Sequence, residues 1–234
     1  MPGYTLHQAA GNIRAEEYKE DSNIYEFLLG IEAPDIFKAW VKSLGIDGAR
    51  QKYNALKTPG MPEFSRLEER AQEKEIADSD AGMHYGVSSA PNLLKFWEDL
   101  SPEEKASPFF RGYLCHLAAD KVIYQVIGIN EKFQNYFDKN KTGDKEKDEA
   151  LRKEAKYKLH HDWDVINKRV KEQYGFTFTP EVEELGVVKF EEGELVWIAY
   201  EDIESAIDFL RRIDFLNGDP DLIIEEILQN CKSF

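Results

Sequence analysis

The sequence predicts a mainly α-helical bundle with a small α+β appendage at its C-terminus, a β-hairpin plus two helices. Three observations lead there. Long segments repeat apolar residues at helical spacing, with Gly and Pro gathered between them. The stretch from Gly112 to Gln125, GYLCHLAADKVIYQ, is apolar around most of its circumference and reads as a central buried helix. Only late in the chain does the pattern change, where VVKFEEGELVWI reads as a hairpin turning at Glu192-Gly193.

In chain order, Thr5 to about Tyr18 is expected to be helical, with His7 in its first turn. Ser22 caps NIYEFLLG, which stops at Gly30; Pro34 then marks a loop, and Asp35 caps IFKAWVKSL. Gly48, Pro59, Gly60 and Pro62 make Gly45 to Ser65 largely connection. Glu68 to Asp80 is densely charged and reads as a solvated helix, followed by a Gly/Ser-rich loop, SDAGMHYGVSSAP, that holds His84. Asn92 to Leu100 is a short helix, and SPEEK opens the next with a capping box. The central helix spans about Ser107 to Ile127, and a shorter one reaches about Lys139. After the solvated break NKTGDKEKDEA, a long helix runs from about Lys147 to Tyr174 and ends before Gly175. Its buried stripe is Leu159, Trp163, Ile166 and Val170. Beyond the hairpin lie two amphipathic, acid-rich helices, EDIESAIDFLRRI and PDLIIEEILQ. The expected division is a helical domain over 1–175 and an appendage over 176–234, which packs on it or forms a subunit contact.

Bulk composition narrows the function classes. At 234 residues, 42% apolar, the chain can bury a sizeable core. A net charge of −15 argues against a nucleic-acid duplex or an anionic membrane surface as partner, while bound divalent cations would reduce that charge. No apolar run approaches the roughly 18 residues of a membrane span. The start, MPGYTLHQAAGNIRAEE, lacks the basic and apolar regions of a secretion signal. Cys115 and Cys231 are too few for a disulfide framework, and the expectation is a reduced, cytoplasmic protein.

Chemistry concentrates on histidines followed one turn later by a carboxylate. On a wheel of about 100° per residue, Arg111, Lys121 and Gln125 share one sector, and His116 and Asp120 lie almost opposite, toward the core. Such a buried pair either bonds a neighbour or meets a metal ion, for which neutral imidazole and carboxylate are both suited. On the long helix, phase places His160 and Asp164 on the flank of the buried stripe and turns His161 toward solvent. His7 and His84 are further candidates for inward-facing ligands. There is no GxGxxG, no GxxxxGK[ST] and no GxSxG, and neither cysteine carries a nucleophile motif.

The ordered series HQAAG, LLGIEAPDIF, MHYG, GYLCHLAAD and a later HxxxD resembles the bacterial zinc-dependent phospholipase C family, which shares its helical fold with the P1-type nucleases. The resemblance covers about Met1 to Tyr174. It implies zinc ligands at His7, Asp35, His84, His116, Asp120, His160 and Asp164, with Asp120 bridging two ions. Asp164 stands where Glu is usual, no histidine occurs between Lys121 and Ile129, and the start is Met-Pro rather than a mature Trp, which leaves one to three zinc ions open. The implied activity is hydrolysis of a small phosphorylated or phospholipid-derived substrate, with Asp35 orienting or deprotonating a metal-activated water. Two competing readings remain. One is an HD-type phosphohydrolase built on His161-Asp162; the other is a non-catalytic helical binding module that kept the scaffold.

Overall fold

The computed structural model describes residues 4–72, 83–85, 90–175, 179–186 and 188–231. Among them the chain is mainly helical and contains no strand. The helices in order are α1 (Tyr4–Gly11), α2 (Ala15–Glu20), α3 (Ser22–Leu56), α4 (Phe64–Gln72), α5 (Leu93–Glu98), α6 (Pro102–Ala106), α7 (Pro108–Ile127), α8 (Ile129–Asn140), α9 (Lys145–Tyr174), α10 (Pro180–Leu185), α11 (Tyr200–Leu210) and α12 (Pro220–Asn230).

The centre is α7, as its sequence predicts. The Ser101–Glu104 capping box forms and starts α6, and the Ser107 hydroxyl then accepts the Phe109 N–H to start α7. Leu114, Leu117, Ala118, Val122 and Ile123 are fully buried, and α1, α3, α5, α6, α8, α11 and α12 all pack around the helix. The tightest contact is with α3. A Cβ on Gly112 would stand 1.9 Å from the Phe27 carbonyl oxygen, and one on Gly30 would stand 1.9 Å from that of Phe109. These glycines let two helix backbones touch.

That contact corrects the reading around Gly30. The chain does not stop there: α3 continues through Gly30 and Pro34, so Asp35 lies inside a helix instead of capping one. Pro34 does remove one N–H from the ladder, and tertiary packing keeps the helix regardless. The expected connection after Gly45 is also helical as far as Leu56, with the break confined to Gly45 at φ 71° and ψ 174°. The first expected helix is interrupted at Gly11, with Asn12 at φ 54°. The charged helix begins earlier, at Phe64, and is described to Gln72; 73–82 lie outside the described residues.

The expected β-hairpin does not form. Residues 188–199 run as an irregular strap along α9, because their backbone amides find partners on that helix and not across a hairpin. The buried Asp162 carboxylate accepts the N–H groups of Val196, Trp197 and Ile198 at 2.8, 2.7 and 3.0 Å. Glu191 donates to the Asp164 carbonyl, and Asn167 to that of Lys189. Beyond the strap, α11 buries Ile203, Ala206, Ile207 and Leu210 and packs on α7 and α1, so the C-terminal helices share the central core.

Glu32 ties distant segments together. From α3 its carboxylate accepts Gln8 of α1 and both the hydroxyl and the N–H of Thr179, before α10. No cation pairs with it among the described residues, and burial pushes its carboxyl from 4.5 up to about 8, against the pull of those hydrogen bonds.

Two predictions follow from this packing. Gly112→Ala gains helix propensity but drives a methyl into backbone, and the clash should win by about 3 kcal/mol in chemical denaturation. At Glu32 the folded chain holds a proton that the unfolded chain releases, so its contribution is complete below about pH 4.5 and lost as pH rises through about 8. The melting temperature of Glu32→Gln, relative to the parent, should therefore rise by several degrees between about pH 5 and about pH 8.5. An offset independent of pH would contradict that.

Candidate metal centre

Four elements carry ionisable side chains into one buried point. α1 brings His7, α3 brings Asp35, and α7 brings His116 and Asp120 one turn apart. His84 comes from the turn at 83–85. That turn is fixed by the Tyr113 hydroxyl of α7, which donates to the Met83 carbonyl, and by Asn92 donating to the Tyr85 carbonyl. Tyr85 is held at φ 53°, a left-handed conformation uncommon for a bulky residue. The exposures of His7, Asp35, His84, His116 and Asp120 are 1%, 5%, 1%, 0% and 2%, so none is a surface residue.

The side chains face one another at the spacing of ligands. His116 Nε2 lies 3.2 Å from His84 Nε2 and 3.6 Å from Asp120 Oδ2, and His84 Nε2 lies 3.4 Å from the same oxygen. Asp35 Oδ1 is 3.9 Å from His84 Nε2. Donors around a tetrahedral zinc ion, at bonds of about 2.0–2.1 Å, stand about 3.3 Å apart. His7 stacks on His116 with ring centroids 3.8 Å apart, and its Nε2 meets Asp120 Oδ1 at 3.1 Å. Asp120 thus addresses His7 with one oxygen and His84 and His116 with the other.

The hydrogen-bonding pattern suits a cation at this point. His116 Nδ1 is 2.7 Å from the Ile31 carbonyl, which can only accept, so that nitrogen carries the proton and Nε2 offers a lone pair to the cluster. His84 Nε2 meets that lone pair at 3.2 Å. The buried Asp35 Oδ1, Asp120 Oδ2 and His7 Nδ1 have no hydrogen-bond partner among the described residues. Burial, reinforced by His7 and His84, holds His116 well below its ordinary pKa, and burial pushes the Asp35 carboxyl up against the pull of His7 and His84. Each shift disfavours a charged side chain in a dry site, and a divalent cation reverses the balance for the carboxylates. His7, His116 and Asp120, and likewise Asp35, His84 and His116, can hold a metal ion.

His160 and Asp164 are not among these groups. They line a neighbouring cavity of about 300 Å³ with Trp163, Asn167 and Val188, while Tyr4, Asp35, Lys38, Ala39 and Lys42 close its other side. Asp35 is therefore shared between the buried cluster and an open space. The adjacent His161 is half-buried, not turned to solvent: it faces the strap and pairs with Glu191 at 3.2 Å. Asp162, the second half of an HD dipeptide, is committed to three strap amides.

Sequence reasoning missed Lys38 and Lys42, which stand three and seven residues after Asp35. Reading the helix through Pro34 would have placed all three on one face. It also missed the anchoring role of Asp162, signalled only by a carboxylate at a core-facing position.

Compared with protein-family models, curated proteins and solved structures, the chain matches none. Its fold and site define it as a helical protein with a buried His/Asp centre able to hold a metal ion. Among the described residues no helix is long and apolar enough to cross a membrane.

The strap gives a test that separates structure from site. Asp162→Ala leaves three amides without their acceptor and should lower stability by at least about 2 kcal/mol. Amide exchange at Val196 to Ile198 should accelerate, with metal uptake retained; loss of metal in a folded Asp162→Ala protein would count against the placement of the centre.

Proposed function

We propose that this protein is a zinc-dependent hydrolase of small phosphoesters. The observation that carries the reading is the convergence of His84 Nε2, His116 Nε2, Asp35 Oδ1 and Asp120 Oδ2 at ligand spacing, both oxygens unbonded, beside a cavity that reaches Asp35. A mixed nitrogen and oxygen donor set without sulfur suits a hydrolytic zinc centre. The order of the ligand motifs, which resembles that of the zinc-dependent phospholipase C family, supports the same reading.

His7, Asp35, His84, His116 and Asp120 would hold one or two ions, and His160 with Asp164, on the cavity wall, a further one. Bound zinc would supply a water of pKa near 7 and a positive field for phosphoryl oxygens. The chain's own residues do the rest. Ile31 fixes the His116 ring and its tautomer through Nδ1. Asp120 spans the histidines with its two oxygens. Asp35, at the boundary of cluster and cavity, would orient a water there and accept its proton on a carboxylate oxygen.

Protein expressed with zinc and purified without a His-tag should contain at least one ion per chain. Its melting temperature should fall on the order of 10 °C with a chelator. It should cleave p-nitrophenyl phosphate or bis-p-nitrophenyl phosphate, and His116→Ala should abolish both metal and turnover. Asp120→Asn should lower metal content more than His84→Ala, because its carboxylate faces more of the cluster. Metal near zero, with a melting temperature unmoved by chelator, would refute the centre; bound metal without turnover of either ester would leave a non-catalytic binding module.

A further inference from the structure

We propose that the cavity beside the cluster selects a dianionic phosphomonoester over a monoanionic or zwitterionic phosphodiester. This inference rests on the hydrolase reading and specifies its substrate. Asp35, Lys38 and Lys42 occupy positions i, i+3 and i+7 of α3, and all three line the cavity. At a rise of 1.5 Å per residue, the lysine Cα atoms stand about 4.5 and 10.5 Å along the axis from that of Asp35. A group held beside Asp35 therefore lies on the helix face that also carries both lysines.

The charge balance of the cavity wall differs from that of the chain. Acidic residues outnumber basic ones by 45 to 30, yet the cavity wall carries two lysines against Asp35 and Asp164. Once Asp35 serves a cation, Asp164 is the remaining acid of that wall. Lys42 is exposed and forms no ion pair among the described residues, unlike many lysines of this surface. A phosphomonoester carries close to two negative charges near neutral pH, since its second pKa is about 6, and a diester carries one. The extra charge is what a lysine row beside a metal centre can recognise. Tyr4 and Trp163 give the same cavity aromatic walls for an apolar leaving group, and about 300 Å³ limits that group to a small one.

The test measures binding and turnover separately, on the zinc-loaded full chain. Inorganic phosphate and dimethyl phosphate are titrated calorimetrically at about pH 8, where the former is a dianion. Initial rates are measured on p-nitrophenyl phosphate and bis-p-nitrophenyl phosphate. The parent should bind phosphate more tightly than dimethyl phosphate and favour the monoester in kcat/KM. Lys38→Gln/Lys42→Gln should weaken phosphate binding by about tenfold, leave dimethyl phosphate within about twofold, and leave zinc content unchanged. Lys42→Gln alone, at an exposed position, should show part of the same selective loss. Equal affinity for the two anions, or equal loss for both in the double variant, would overturn the proposal. If neither ester is cleaved but phosphate binding depends on the lysines, hydrolysis fails and the anion site stands. If the diester is the better substrate, the hydrolase stands and this inference falls.

Discussion

Helices α3 and α7 meet backbone to backbone because Gly30 and Gly112 put no Cβ between them. The contact organises the site as well as the core. It brings the Ile31 carbonyl to hydrogen-bonding distance of His116, and it places Asp35, one turn further along α3, within reach of His84 and His7. A larger residue at either glycine would part the helices and separate ligands that must converge within a few ångströms. Packing and chemistry are therefore one constraint at this point of the fold.

The second consequence is electrostatic. Three histidines and two aspartates are removed from water with few hydrogen bonds among them, an arrangement that burial alone penalises. The directions of the shifts at His116 and Asp35 express that penalty. Among the described residues no lysine or arginine forms an ion pair within the cluster. A cation at this point would meet the His116 Nε2 lone pair and the unbonded oxygens of Asp35 and Asp120 together. The buried Glu32 is a contrasting case, since neutralisation by a proton lets it serve as an ordinary hydrogen-bonding link between α1, α3 and Thr179.

The C-terminal segment belongs to this architecture through α9. Asp162 gathers the strap amides, His161 and Lys168 reach Glu191 and Glu192, and the start of the strap, at Val188, reaches the cavity wall. Adjacent residues on one helix thus have separate tasks: His160 and Asp164 face the cavity, and His161 and Asp162 hold the strap. The division also bears on the HD reading, because the carboxylate that reading would give to a metal is already saturated by backbone donors.

Much of this was legible in the chain itself. The apolar circumference of α7, the capping box that starts α6, the phase of His116 and Asp120, and the stripe on α9 follow from local sequence pattern, which a helix expresses wherever it packs. The ordered histidines and aspartates named seven residues, of which the fold collects five and leaves His160 and Asp164 on the wall of the neighbouring cavity. Local signals misled at Gly30 and Pro34, where a breaker pattern marks a close helix contact inside a continuous helix. They misled again at 188–199, where alternation suggests a hairpin but Asp162 takes the amides a ladder would use. Sequence determined the inward face of α7, because helical phase is a local property, but not that of α9 at His161 and Asp162, where the strap supplies the cover. Only tertiary structure decided which candidate ligands meet, because the distances between His7, Asp35, His84, His116 and Asp120 depend on how closely separate helices approach.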